Sequence, residues 1–202
     1  MKIASIVCGF GEVESIPILI RRIAHQIDPV LPIKILRPIR ISESELKKNV
    51  GRAVMLAILK LEGPGGILIF SDCDWKNACP AKDGPKILNI ARRTRSDIPI
   101  SVVLAKREYE SWFLAAANSI AGERDLFDDL ASPANPELIR DAKGWLSKHK
   151  KFGSYSETVD QPALTARFDI DQARSADSFD KCYREICAVI SKLKLEINEN
   201  SQ

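Results

Sequence analysis

The feature that most limits this chain is a run of four apolar residues, Ile67 to Phe70, bracketed by Gly63-Pro64-Gly65-Gly66 on one side and Asp72-Cys73-Asp74 on the other. A short strand that is apolar at every position has no solvent face. It must be covered on both sides, as strands of a parallel sheet are when helices flank them. The neighbouring stretches agree. Ile3 to Val7, Ile33 to Leu36 and Ile100 to Leu104 are further short apolar runs, and between them the spacing changes to the helical period. Ile16, Leu19, Ile20 and Ile23 stand at i, i+3, i+4 and i+7, with Pro17 in the first turn, where a missing N–H costs little. Ser42-Glu43-Ser44-Glu45 reads as a capping box for a helix that buries Leu46, Val50, Val54, Ala57 and Leu61, and a third helix is expected from about Pro85 to Arg95. This alternation predicts an α/β fold, a Rossmann-like parallel sheet flanked by helices over residues 1–115. Residues 116–202 read as a mainly helical C-terminal extension packed on that core, with helices over Glu137–Lys148, Gln161–Phe168 and Phe179–Leu195. The whole is expected to form one domain.

With 202 residues, 45% of them hydrophobic and 28% charged, the chain can bury roughly 70% of its unfolded surface and needs no metal or disulfide staple. Thirty Lys and Arg against 27 Asp and Glu give a net charge of +3, too slight to mark a nucleic-acid binder by bulk charge. The amino terminus lacks a signal-peptide pattern, and no stretch reaches the ~20 apolar residues of a membrane span. Five cysteines, an odd number, point to reduced thiols and a cytoplasmic protein. Neither Cys73/Cys79 nor Cys182/Cys187 has zinc-ligand spacing, and there are just two histidines, His25 and His149.

In an open parallel sheet, ligands bind beyond the carboxyl ends of the strands, where loops and helix amino termini converge. Acidic residues fall at three such ends: Glu12 after the first strand, Asp72 and Asp74 after the third, Glu108 and Glu110 after the fourth. If the strand stays extended, period-two alternation sends both carboxylates of the D-x-D pair the same way. Mg2+ and other hard divalent cations take such oxygen ligands, and a cation held there would offer a phosphodiester a Lewis acid and an activated water. A plainer reading stands beside this one. Aspartates at strand ends form turns and helix caps, glutamates in a first turn complement the helix dipole, and Trp112 and Phe113 read as core. What favours chemistry is that three strand ends carry acidic groups to one edge.

Five separated segments resemble the bacterial DUF4276 family, a domain of unknown function. They are Cys8-Gly9-Phe10-Gly11-Glu12-Val13-Glu14, Asp72-x-Asp74 with Cys79-Pro80, the run Arg107 to Ala115, Arg140-Asp141-Ala142-Lys143-Gly144-Trp145-Leu146, and Asp160-Gln161-x-x-Leu164-Thr165. That family in turn resembles the Toprim fold of topoisomerases, primases and related nucleases, in which a glutamate after strand one and a D-x-D after strand three bind Mg2+ for phosphoryl transfer. The resemblance therefore implies a Toprim-like core and a Mg2+ or Mn2+ site at Glu12, Asp72, Asp74 and Glu110. Of these, Glu12, Asp72 and Asp74 would be catalytic, and Arg107 and Lys143 would contact phosphate.

One departure bears on activity. Where the family reads V-E-G-x-x-E, this chain has Val7-Cys8-Gly9-Phe10-Gly11-Glu12, and a neutral thiol at Cys8 replaces a carboxylate neither as a Mg2+ ligand nor as a base. Two functional expectations follow. One is a metal-dependent nuclease or phosphoryl-transfer enzyme, weakened at Cys8, with nucleic acid as partner. The other is a non-catalytic binding or regulatory subunit acting with an ATPase in a bacterial defence system, a partnership that members of this family often resemble.

Overall fold

A computed structural model describes residues 1–199, with side chains described as far as Glu196; the last residues of the expected extension lie outside that range. In chain order the elements are β1 (Lys2–Val7), α1 (Glu12–Ile27), β2 (Lys34–Ile35), β3 (Ile39–Arg40), α2 (Glu43–Leu61), β4 (Gly66–Cys73), α3 (Pro80–Thr94), β5 (Ile100–Lys106), α4 (Ser111–Ala115), α5 (Ala142–Lys148), α6 (Asp160–Thr165), α7 (Ile170–Ala173) and α8 (Asp177–Glu199). Short 3-10 turns lie at Ala117–Ile120, Glu123–Asp125 and Pro136–Leu138.

The sheet is parallel throughout, in the order β2-β1-β4-β5, with β3 also paired to β1. The two central strands, β1 and β4, are therefore neighbours, and their carboxyl ends open side by side. Alternation along them divides the core. Ala4, Ile6, Ile67 and Ile69 face α2 and α3, packing with Leu46, Val50, Val54, Ala57, Ile87 and Ala91. Ile3, Val7, Leu68, Phe70 and Val103 face the other way, against Ile16, Leu19, Ile20 and Ile23 of α1 and Ile186, Val189 and Ile190 of α8. Ile67 to Phe70 is buried from both sides, as its uniform apolarity requires.

Several elements depart from the sequence expectation. The second strand is split into two short pieces because Pro38, which has no N–H to give a ladder, sits between them; pairing resumes when Ile41 N–H donates to Val7 O at 2.9 Å. The third helix starts five residues early, at Pro80, since proline is accepted at a first helical position. The helix expected over Glu137–Lys148 is instead a 3-10 turn and the shorter α5, which is capped by Asp141 accepting from Gly144 N–H at 2.8 Å. The capping box at Ser42 and Glu45 is present in both directions.

Beyond β5 the chain crosses back under the sheet through an aromatic block. Tyr109 lies 4.6 Å from Trp112 and 5.4 Å from Phe113 between ring centroids, and Phe168 and Phe179 close the group. The polar handles are satisfied, as buried Tyr and Trp demand: Trp112 Nε1–H donates to Ser178 Oγ at 2.9 Å, and the Tyr109 hydroxyl pairs with Thr165 Oγ1 at 2.9 Å. Trp112 and Phe113 are thus core residues, and the apolar cluster they join runs from Ile3 to Leu193.

Candidate functional site

At the carboxyl edge, β1 gives way to the turn Cys8-Gly9-Phe10-Gly11 and then to α1. Glu12, the first residue of α1, folds its carboxylate back over this turn, and Oε2 accepts from Cys8 N–H at 3.0 Å and Gly9 N–H at 2.8 Å. The turn has little room elsewhere. A Cβ on Gly11 would sit 2.0 Å from Gln161 Oε1 and 2.5 Å from Glu157 O, so only glycine lets α6 approach this closely. Asp72, near the end of β4, is held from the turn that follows β5, its Oδ1 accepting from Tyr109 N–H at 2.7 Å. Glu110, just before α4, is buried, and its Oε1 accepts from the Tyr155 hydroxyl at 2.9 Å. Its other oxygen, Oε2, is buried with no hydrogen-bond partner among the described residues.

Each carboxylate thus has one oxygen tied to a protein donor. Burial raises the carboxyl pKa of all three above the ordinary range, that of Glu110 to about 7. Asp72 is pushed up further by the charges of Glu12 and Glu110. The counter-charge is Lys143, from the first turn of α5, whose Nζ is 2.8 Å from Glu157 Oε2. Burial works against its ammonium, but the attraction of Glu110, Glu157 and Asp72 outweighs that and holds its pKa above the usual lysine value. Glu108 steadies this arrangement, its Oε2 accepting from the backbone N–H groups of Ala142 and Lys143 at 2.8 and 3.2 Å, where the helix has unpaired donors.

Of the residues singled out from the sequence, Glu12, Asp72, Glu110 and Lys143 are within electrostatic reach of one another. Asp74 stands apart. Strand geometry ends at Cys73, so the alternation that would have aimed Asp74 beside Asp72 is lost; Asp74 is exposed, and its charge bears on Cys73, which faces α2 and α3. Arg107 lies one residue past β5 in a left-handed conformation (φ 70°), and its Nε is buried with no partner among the described residues. Cys8 sits at the rim but packs toward α2 and α3, on the opposite face from Val7. Burial first, then the nearby Glu12 and Asp72 charges, push its thiol up to about 12, so it is neutral. Tyr155 and Glu157 lie outside every motif quoted from the sequence, in the loop that follows Gly153-Ser154, where no local pattern points to them.

Three carboxylates of hard oxygen character, one with an orphaned buried oxygen, suit a divalent cation in kind. As they stand, however, no three His, Cys, Asp or Glu side chains among the described residues are spaced to enclose an ion. No helix among the described residues is long and apolar enough to cross a membrane. Comparison with known family models, curated proteins and solved structures finds no match to this chain, and so neither supports nor opposes the resemblance to DUF4276.

Proposed function

We propose that the carboxyl edge is a phosphoryl-transfer centre of the metal-dependent nuclease type, taking one Mg2+ or Mn2+ on Glu12, Asp72 and Glu110, with Lys143 and Arg107 as phosphate contacts. Asp74, exposed and turned aside, is left out of the ligand set. One observation carries the reading: three strand ends bring the buried Glu12 and Glu110 and the half-buried Asp72 together, so that Glu12 and Glu110 both push on Asp72, an arrangement that costs stability and that a fold has no structural need to assemble. A bound divalent cation would supply a Lewis acid and a water of lowered pKa.

The chain's own groups have the remaining tasks. The Cys8 and Gly9 N–H groups orient Glu12, Tyr109 N–H orients Asp72, and the Tyr155 hydroxyl orients Glu110. Glu110, with Oε1 held by Tyr155 and Oε2 without a partner among the described residues, has a free oxygen to offer a cation. Lys143 supplies fixed positive charge where phosphate oxygens gather, and Arg107 has a buried donor unspent.

A second reading has its own support. Cys8 stands where the family resemblance places a glutamate, and a thiol with a pKa of about 12 serves as neither base nor ligand at neutral pH. That favours a binding or regulatory subunit, retaining cation affinity without turnover, beside an ATPase partner. All five cysteines are free, in keeping with a cytoplasmic setting. Thermal unfolding with Mn2+ tests the site itself, because a cation at 100 times its Kd adds about 2.7 kcal/mol. Wild type should be stabilised and Asp72→Asn should not. No Mn2+ response from wild type refutes the cation site. A response without cleavage of labelled DNA or RNA selects the regulatory reading.

A further inference from the structure

The same edge carries a second feature, on the side of the sheet facing α2 and α3. Phe10, at the tip of the turn after β1, is 61% exposed. The turn beneath it is pinned by Glu12 and by the close approach of Gln161 to Gly11, so the ring is presented by rigid backbone. The Arg40 guanidinium, at the end of β3, lies over it, 3.8 Å from the ring centroid. Farther along the edge, Lys47 of α2, which is also ion-paired with Glu43, places its ammonium 3.9 Å from the ring centroid of Trp75, a half-buried ring packed against the core that α2 and α3 share. Beside Arg40 is a shallow groove of about 190 Å³ whose polar lining is Arg40, Glu45, Asn49 and Arg52. From Arg40 to Arg52 the chain has four basic residues (Arg40, Lys47, Lys48, Arg52) against two acidic ones (Glu43, Glu45), a local excess of two in a protein whose total is three.

An aromatic ring left in water contributes nothing to the core, and a guanidinium stacked on it offers a second planar surface. An exposed ring paired with a cation beside a second arginine matches the requirements of unpaired nucleobases and their phosphates, since every base has a π face and a single strand can splay its bases outward. A duplex keeps its bases stacked inside and could use the cations alone. An acidic protein segment would likewise use the cations and leave the exposed Phe10 ring unexplained.

We propose that this edge is a platform for single-stranded nucleic acid, with a base stacked on the Phe10–Arg40 pair and phosphates drawn by Arg40 and Arg52. The proposal rests on the reading of the neighbouring carboxylates as a phosphoryl-transfer centre, and it adds to that centre the form of its substrate. A strand bound here would cross the rim occupied by Cys8, which lies within reach of both Glu12 and Asp72 on one side and Glu43 of α2 on the other.

The test is fluorescence anisotropy in EDTA, where no cation supports cleavage, using labelled oligothymidylate and oligouridylate of about 12 nucleotides and a duplex of the same length. Both single strands should bind more tightly than the duplex, and the relative affinity of the two reports whether DNA or RNA is preferred. Phe10→Ala, a change at an exposed ring, should keep the unfolding temperature and weaken single-strand binding by about five-fold or more. Arg40→Ala should in addition flatten the salt dependence by about 0.7 in the slope of log K on log salt. Equal affinity of Phe10→Ala and wild type overturns the proposal, as does a preference for duplex. Failure to bind any of the three at low salt also overturns it, in favour of an acidic protein partner. Asp72→Asn separates the two readings. Single-strand binding retained in Asp72→Asn, with no Mn2+ response in wild type, leaves the platform standing and removes the phosphoryl-transfer centre. A Mn2+ response in wild type without strand binding does the reverse.

Discussion

Replacing Glu110 by glutamine should make the metal-free protein more stable at alkaline pH and leave it nearly unchanged in acid. Glu110 is almost wholly buried, and that burial lifts its carboxyl from the ordinary 4.5 to about 7 against the opposing pull of Lys143 and the Tyr155 hydroxyl. Below pH 4.5 the group is protonated whether the chain is folded or not, and it costs nothing. Between 4.5 and about 7 the unfolded chain releases the proton and the folded chain keeps it, so stability falls as pH rises. Above about 7 the penalty is constant. At ~1.4 kcal/mol per pH unit it amounts to about 3 kcal/mol. Glutamine keeps the volume and the carbonyl that accepts from Tyr155, and it has no charge to lose. Urea unfolding in EDTA, compared near pH 4.5 and near pH 8, should therefore show the variant gaining about 3 kcal/mol over wild type between the two conditions, or roughly 6–12 °C in unfolding temperature for a chain of this size. Relief of repulsion on Asp72, which Glu110 also pushes up, acts in the same direction. A difference that does not change with pH, or a variant less stable than wild type near pH 8, would refute the argument. It would mean that Lys143 and Tyr155 repay the burial of this carboxylate in full.

Two further substitutions probe the rim. Cys8→Glu introduces a carboxylate beside Glu12, Asp72 and Glu43, so it should cost about 2–4 kcal/mol in EDTA and recover much of that in Mn2+; calorimetry with and without the cation reads both, and equal losses in the two conditions would mark Cys8 as plain packing. Gly11→Ala places a methyl 2.0 Å from Gln161 Oε1 and 2.5 Å from Glu157 O, so α6 must shift, with a loss of about 1–3 kcal/mol in urea unfolding; an unchanged midpoint would show that the approach of α6 is not fixed.

What the sequence disclosed was whatever depends on periodicity and local chemistry. Ile67 to Phe70 revealed a doubly covered strand, Ser42 and Glu45 a capped helix, and the acidic groups after three strands an edge with charge to spare. What it hid depends on contacts between distant segments. Nothing local to Asp74 shows that β4 stops at Cys73, because that ending reflects Cys73 N–H pairing with Arg107 O across the edge. Tyr155 and Glu157 reach the site through a loop with no pattern of its own, and Lys143 becomes its counter-charge because Glu108, 35 residues earlier, holds the start of α5. Phe10 could be quoted as part of a motif, but its exposure and its pairing with Arg40 follow from the adjacency of β1 and β3, which spacing alone does not determine.

The packing of α8 has a consequence for how the protein is made. Ile186, Val189, Ile190 and Leu193 cover one face of the sheet together with α1, and they leave the ribosome well after the strands they cover. Until they emerge, Leu68, Phe70 and Val103 have only part of their cover, and the aromatic block around Trp112 lacks Phe179. The nascent chain must therefore keep a half-dressed parallel sheet from sticking to its neighbours until α8 has been made, a stage at which bare strands invite aggregation.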